Sequence, residues 1–331
     1  MATSGSIDFQ LTRDQVINEA MEMLGVLPEG VVANAAQLAS GSTTLNMMLK
    51  AWQSKATQLW VNQRLYLFLQ PGKREYNLDL TAASSDECTT SFTAITLDGD
   101  HTSGATAILV SDGSTTNDAD RIGILVDDQT MHFTTIASGG GTNSLVLTVG
   151  LDDDASDGAT IYFYTTKAAR PRKINVATSK NAPAFEGRDN VIDGTEIPVE
   201  VMARQDWADL SVKRTGGRTN QLYWDPQWQT GIVRVWPQPN IGSDYLVLWV
   251  ERTIEDVDIG ADDFDLPQEW LLAVSSSLAL WLTTKFGVSD KTFGRVNALA
   301  QLALFDAESG DTEGNMRFTP DDRWDGYNGT Y

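Results

Sequence analysis

Cysteine is almost absent from this sequence. Cys88 stands alone, so no disulfide can form within the chain and nothing in it calls for an oxidising compartment. Histidine is nearly as scarce: His101 and His132 are the only two, neither beside a cysteine nor at helical spacing from the other. Zinc chemistry and histidine-based nucleophile schemes therefore lack support, and solvated or strand-surface histidines are the favoured reading. Long apolar runs are missing too. The longest, Leu271 to Leu282, is broken by Ser275, Ser276 and Ser277; it is too short to span a bilayer and reads as a buried helix. The opening MATSGSIDFQLTRDQ has no basic stretch followed by an apolar one, so no secretory signal is expected there. Positive charge is in deficit, with 24 Lys plus Arg against 45 Asp plus Glu, a net charge of −21. A field of that sign repels phosphate backbones and argues against a conventional DNA-binding protein. Such an excess of carboxylates either keeps a protein dispersed or lines a passage through which DNA slides without sticking. Composition leaves both open.

What is present is a chain of 331 residues, 41% apolar, enough for one large domain or two medium ones with a real core. Thr12 and Gln15 form a capping-box pattern ahead of Ile17, Ala20, Met21 and Leu24, and Gly25 ends that helix. A longer helix is predicted over 34–59, its stripe made by Leu38, Leu45, Met48, Leu49, Trp52, Ala56 and Leu59. The period then drops to two. Leu65, Leu67 and Leu69, the Pro71-Gly72 turn, and Tyr76, Leu78 and Leu80 predict a hairpin. Residues 82–166 alternate short β-type runs with Asp- and Gly-rich turns, which predicts an antiparallel sandwich or barrel inserted into a host domain. Short strands follow at 173–177, 196–199, 222–224, 232–236 and 245–252, around a helical stretch at 203–210. Helical period returns after Pro267 and again after Ser289, where Phe293, Val296, Ala300, Ala303 and Leu304 make the stripe.

The chemistry-bearing motifs are weak. Gly139-Gly140-Gly141-Thr142 lacks the Lys-Ser/Thr of a phosphate loop and reads as a hairpin turn. The acidic loop Asp152, Asp153, Asp154, Asp157 fails as an EF-hand, because its sixth and twelfth positions hold Asp157 and Phe163. Most of the tryptophans, such as Trp207, Trp224, Trp236 and Trp270, suit a core or a subunit contact, with a glycan platform as the rival use. Two basic clusters, Arg170, Arg172, Lys173 and Lys213, Arg214, Arg218, suit ion pairs between subunits. The segment 310–331 has no apolar period yet carries Phe318, Trp324, Tyr327 and Tyr331 among Arg317 and Arg323, a composition richer in aromatics than mere disorder.

Several stretches, taken in order, resemble a known family, the head-to-tail adaptor (packaged-DNA stabilisation) proteins of short-tailed bacteriophages. LTRDQVINEAMEMLGVLPEG with LNMMLKAWQSKATQLW resembles its N-terminal helix pair, and RLYLFLQPGKREYNL the hairpin that follows. RPRKINVA, LYWDPQWQTGIVRVWPQP and YLVLWVER resemble its central β segment, and FDLPQEWLLAVSSSLALWLTTKFGV its C-terminal helix. The 82–166 insert is larger than the simplest members carry. The resemblance implies an α+β protein: a helical adaptor domain, made of an N-terminal helix pair and C-terminal helices, with a central β segment and the inserted β domain. Domain bounds follow at 1–81, 82–166, 167–309 and an extended tail at 310–331. It further implies a ring, expected to be a dodecamer, at the head–tail junction of a virion assembled in the bacterial cytoplasm. Its partners would be the portal protein, tail tube or nozzle proteins and tail-fibre proteins. DNA would pass through the ring without specific binding. No cofactor, metal, membrane or catalytic residue is implied. Arg317, Phe318, Arg323, Trp324, Tyr327 and Tyr331 are the expected portal contacts. A virion-associated cell-wall hydrolase and a glycan-binding tail component remain the alternatives.

Overall fold

The computed structural model describes residues 9–54, 59–180 and 196–311. The chain divides into two compact units, one made from its two ends, 1–60 and 254–331, the other from Val61–Thr253.

In the first unit, α1 (Arg13–Met23) opens on the reciprocal cap that the sequence announces, with Gln15 Oε1 accepting the Thr12 N–H at 2.9 Å. Asn34 and Gln37 start α2 (Ala35–Gln53) in the same way. A short α3 (Arg204–Asp209) belongs to the second unit, and α4 (Leu271–Leu282) and α5 (Asp290–Gly310) complete the first. Helix α4 is apolar nearly all round and packs on α1, α2 and α5. Its Val274, Leu278 and Leu282 share one core with Ile17, Met21, Leu45, Met48 and Val296. The serines that interrupt its apolar run are buried as well. Ser275 and Ser276 return their hydroxyls to the Leu271 and Leu272 carbonyls one turn back, so burial leaves neither unsatisfied. No helix among the described residues is long and apolar enough to cross a membrane.

The second unit begins with β1 (Asn62–Phe68), β2 (Glu75–Asp79) and β3 (Cys88–Thr89). Six strands follow: β4 (Thr93–Thr96), β5 (Ala107–Leu109), β6 (Arg121–Leu125), β7 (Met131–Ser138), β8 (Ser144–Leu147) and β9 (Thr160–Tyr164). The last group is β10 (Lys173–Lys180), β11 (Glu196–Met202), β12 (Gln221–Asp225), β13 (Thr230–Trp236) and β14 (Tyr245–Glu251). The first and last groups make one eight-stranded sheet, ordered β2-β13-β12-β11-β10-β14-β1-β3, with β11 and β12 its parallel pair. It curls so that alternate side chains, among them Leu65, Leu67, Leu78, Leu222, Val235 and Leu248, fill a single interior. The middle group makes an antiparallel sheet ordered β4-β9-β6-β7-β8-β5. Its edges meet where Leu97 bridges Val110, and the Asp98 and Ser111 N–H groups donate to the Leu109 and Thr96 carbonyls, each at 2.9 Å. The result is a small barrel around Leu97, Ile108, Ile122, Leu145 and Ile161.

This architecture corrects the expected fold class. The described residues are mostly β, in two large curled sheets, and not a helical adaptor domain carrying a small inserted sandwich. The stretches that read as a hairpin and a minor β segment are parts of one sheet whose pairings join residues far apart in sequence. The hairpin itself does not form: β1 pairs with β14 and β3, whereas β2 pairs with β13. Period-two alternation shows which residues face a core; it carries no information on which strand lies alongside.

Candidate functional site

Each curled sheet also presents an outward row, and in the second unit two such rows meet. From the larger sheet come Tyr66, Phe68, Tyr245 and Val247; from the smaller come Leu125, Met131, Phe133, Tyr162 and Tyr164, with Phe92 between them. Phe68 is the centre. It stacks on Tyr162 and Tyr164 at 5.1 and 5.6 Å between centroids, while Phe92 meets it edge-on at 5.3 Å. Polar groups lock the same seam. The Tyr162 hydroxyl donates to the Ser243 carbonyl at 3.0 Å. The Gln70 carboxamide donates to the Met131 carbonyl at 2.8 Å and accepts the Met131 N–H at 3.2 Å.

At the rim of that seam lies a nearly buried carboxylate, Glu87. Arg121 donates to both of its oxygens, at 3.1 and 2.7 Å, Lys167 Nζ lies 2.8 Å away, and the Tyr164 hydroxyl donates as well. Burial pushes the Glu87 carboxyl up, but these donors outweigh it and hold the group below its usual range. Burial, reinforced by the Glu87 charge, pushes the Tyr164 hydroxyl well above its ordinary value and keeps it neutral. A carboxylate satisfied on every side by its own chain fixes a geometry and leaves no lone pair turned to a substrate. A second such centre, Glu251, accepts from Arg172 at 2.7 Å and from Asn175 at 3.2 Å, with Lys173 at 3.7 Å. Arg172 and Lys173 thus serve ion pairs within the chain. Lys213 and Arg218 likewise donate to carbonyls of their own chain, those of Ala208, Leu210 and Ser179.

Most of the other residues marked by sequence find structural partners. His132 is buried, not solvated: Nδ1 lies 2.7 Å from Asp152 Oδ2, and Nε2 lies 3.3 Å from the Val149 carbonyl. His101 Nε2 accepts the Leu109 N–H at 3.2 Å. The acidic loop caps backbone, Asp154 accepting from Ser103 and Asp157 from Gly99. The glycine turn joins β7 to β8, and Asp118 and Thr116 accept its Gly140 and Gly141 N–H groups. Trp52 and Trp60 meet Trp270 edge-on, and Trp207 stacks on Tyr223. Trp228 is 84% exposed in the β12–β13 turn. Arg317, Phe318, Arg323, Trp324, Tyr327 and Tyr331 lie outside the described residues.

Two features escaped the sequence reading. The Glu87 network joins residues with no local signal, and nothing in their spacing could have revealed it. The outer face of α5 could have been read: Leu299, Leu302 and Phe305 sit off the buried stripe of Val296, Ala300 and Ala303, and they are 38%, 60% and 67% exposed. Beside them a cleft of about 710 Å³ opens between Glu22–Gly25 and the Thr292–Leu299 side of α5. No protein-family model matches the chain, and no curated protein is significantly similar to it.

Proposed function

We propose that this chain is a structural head-to-tail connector of a short-tailed phage. Copies form a ring, expected to be twelve-fold, beneath the portal; the ring extends the DNA channel and helps retain packaged DNA. The reading rests on how the segments that resemble the adaptor family come together. LTRDQVINEAMEMLG, LNMMLKAW and FDLPQEWLLAV lie at opposite ends of the chain yet supply one helical core. RLYLFL, RKINVA, LYWD, GIVRVW and YLVLWVE become strands of one sheet. The stretches that carry the likeness thus fall on elements that pack together, in one helical core and one sheet.

Two further observations favour assembly over catalysis. Exposed apolar side chains on α5 suit protein contacts. The net charge of −21 suits a channel wall that does not hold DNA. In this reading the aromatics and arginines of 312–331 dock on the portal, and tail tube or nozzle and tail-fibre proteins bind below. Sedimentation and electron microscopy of the protein mixed with its portal test the proposal. A twelve-fold ring capping the portal supports it; a monomer that ignores the portal and clears cell wall would replace it with the hydrolase reading.

One observation favours a second reading. Trp228, flanked by Gln227 and Gln229, offers a bare indole face of the kind sugar rings stack on. Binding of host envelope polysaccharide that is lost in Trp228→Ala would support a glycan-binding tail component.

A further inference from the structure

Helix α5 carries a seam that the described residues of its own unit leave uncovered. Arg295, Leu299, Leu302 and Asp306 follow one another at spacings of four, three and four residues, which is the heptad spacing of a helix–helix contact. All four are exposed, and Ala298 and Phe305 widen the face on one side. Val296, Ala300, Ala303 and Ala307, which face the unit's own core, lie off this seam. Asp290 in the first turn suits the helix dipole, but the charges further along run against it. The last turn holds no cation, and Asp306 and Glu308 crowd the end where carboxylates are disfavoured, with Lys291 and Arg295 toward the other end. The helix dipole therefore does not account for the order of Arg295 and Asp306 on the seam.

A second copy does account for it. When two α5 helices run antiparallel, Arg295 of each faces Asp306 of the other, and Leu299 faces Leu302. The seam is self-complementary in charge and in apolar character, as a two-fold contact requires. We infer that the free chain pairs through α5 into an antiparallel, two-fold dimer. This goes beyond the connector reading and does not depend on it: a two-fold contact closes on itself and cannot propagate a ring, so it describes the chain before any ring forms. A single helix of 21 residues offers a small interface, so a dissociation constant on the order of micromolar is expected.

Sedimentation velocity of the full-length chain across roughly 1–100 μM reads this directly. The expected result is a concentration-dependent dimer that Leu302→Glu returns to monomer. Arg295→Asp or Asp306→Arg alone should each weaken dimerisation by about tenfold or more, since each sets like charges face to face twice. The double variant R295D/D306R should recover the affinity, because the swapped pairs again match. The substituted side chains are exposed, so unchanged helical circular dichroism and melting midpoints will show that each variant folds. A chain that stays monomeric throughout, a dimer indifferent to both charge reversals, or a double variant as weak as the single ones would each overturn the pairing. So would an open oligomer, or a chain that dimerises only after removal of residues 312–331, which would give the seam to the protein's own tail.

Discussion

Glu87 and Arg121 clasp one another between the two curled sheets of the second unit, Arg121 reaching both carboxylate oxygens at 3.1 and 2.7 Å. Glu87 precedes β3 in the larger sheet and Arg121 opens β6 in the smaller, so one ion pair pins two separate interiors. Its surroundings make it costly to break. Side-chain exposure is 16% for Glu87 and 28% for Arg121, and Lys167 would be left without its carboxylate too.

Glu87→Gln should therefore destabilise the protein by about 3 kcal/mol, the lower end for a buried pair, given that some water reaches Arg121. The same variant carries a pH signature. Folding lowers the Glu87 pKa, so the network's contribution is complete above the usual glutamate value of about 4.3 and disappears as pH falls through the lowered folded value. The gap in melting midpoint between wild type and E87Q should be constant near neutrality and close on acidification. A gap that widens in acid would remove Glu87 from this role.

At Gly41, α2 lies tight against α1. A Cβ there would sit 2.6 Å from Cγ2 of Ile17, itself fully buried. Helix propensity alone favours Gly41→Ala by about 1 kcal/mol. Forcing a methyl against a branched, immobile side chain costs about 1–3 kcal/mol, so the net effect should be destabilising. Urea unfolding would settle the balance, and an unchanged or raised midpoint would mean that the helices separate easily.

Cys88 supplies a probe of the β unit that needs no mutation. Burial, and then the nearby Glu87 charge, pushes its thiol well above the ordinary value. The native protein should resist Ellman's reagent, reacting only at its unfolding rate and with full stoichiometry in urea. Labelling as fast as that of a free thiol would show that β3 opens without global unfolding.

Within the connector reading, Arg323→Ala and Trp324→Ala should each weaken binding to the portal ring by roughly 2 kcal/mol, as truncated Arg and Trp anchors commonly do. Removing 312–331 should abolish co-sedimentation and leave the melting midpoint unchanged. Retained binding would move the contact to another part of the chain.

Local rules placed the helix starts, although α2 ends at Gln53, short of the 34–59 that its spacing predicts. The Thr12–Gln15 cap, the Ile17–Met21 stripe and the start of α5 after Ser289 stand where spacing and capping chemistry place them, because a helix satisfies its backbone within a few residues. Alternation likewise marked Leu65, Leu67, Tyr76 and Leu78 as inward-facing. Tertiary structure alone decided what those strands do. Strand pairing is a contact between distant segments, so the partnership of β2 with β13 and of β1 with β14, the closure of Leu97 on Val110, and the meeting of Glu87 with Arg121 and Lys167 leave no trace in neighbouring residues. The same holds for the fold class: runs that look like small β segments merge into one large sheet only when the chain returns on itself, and that pairing of distant segments makes β structure dominate the described residues.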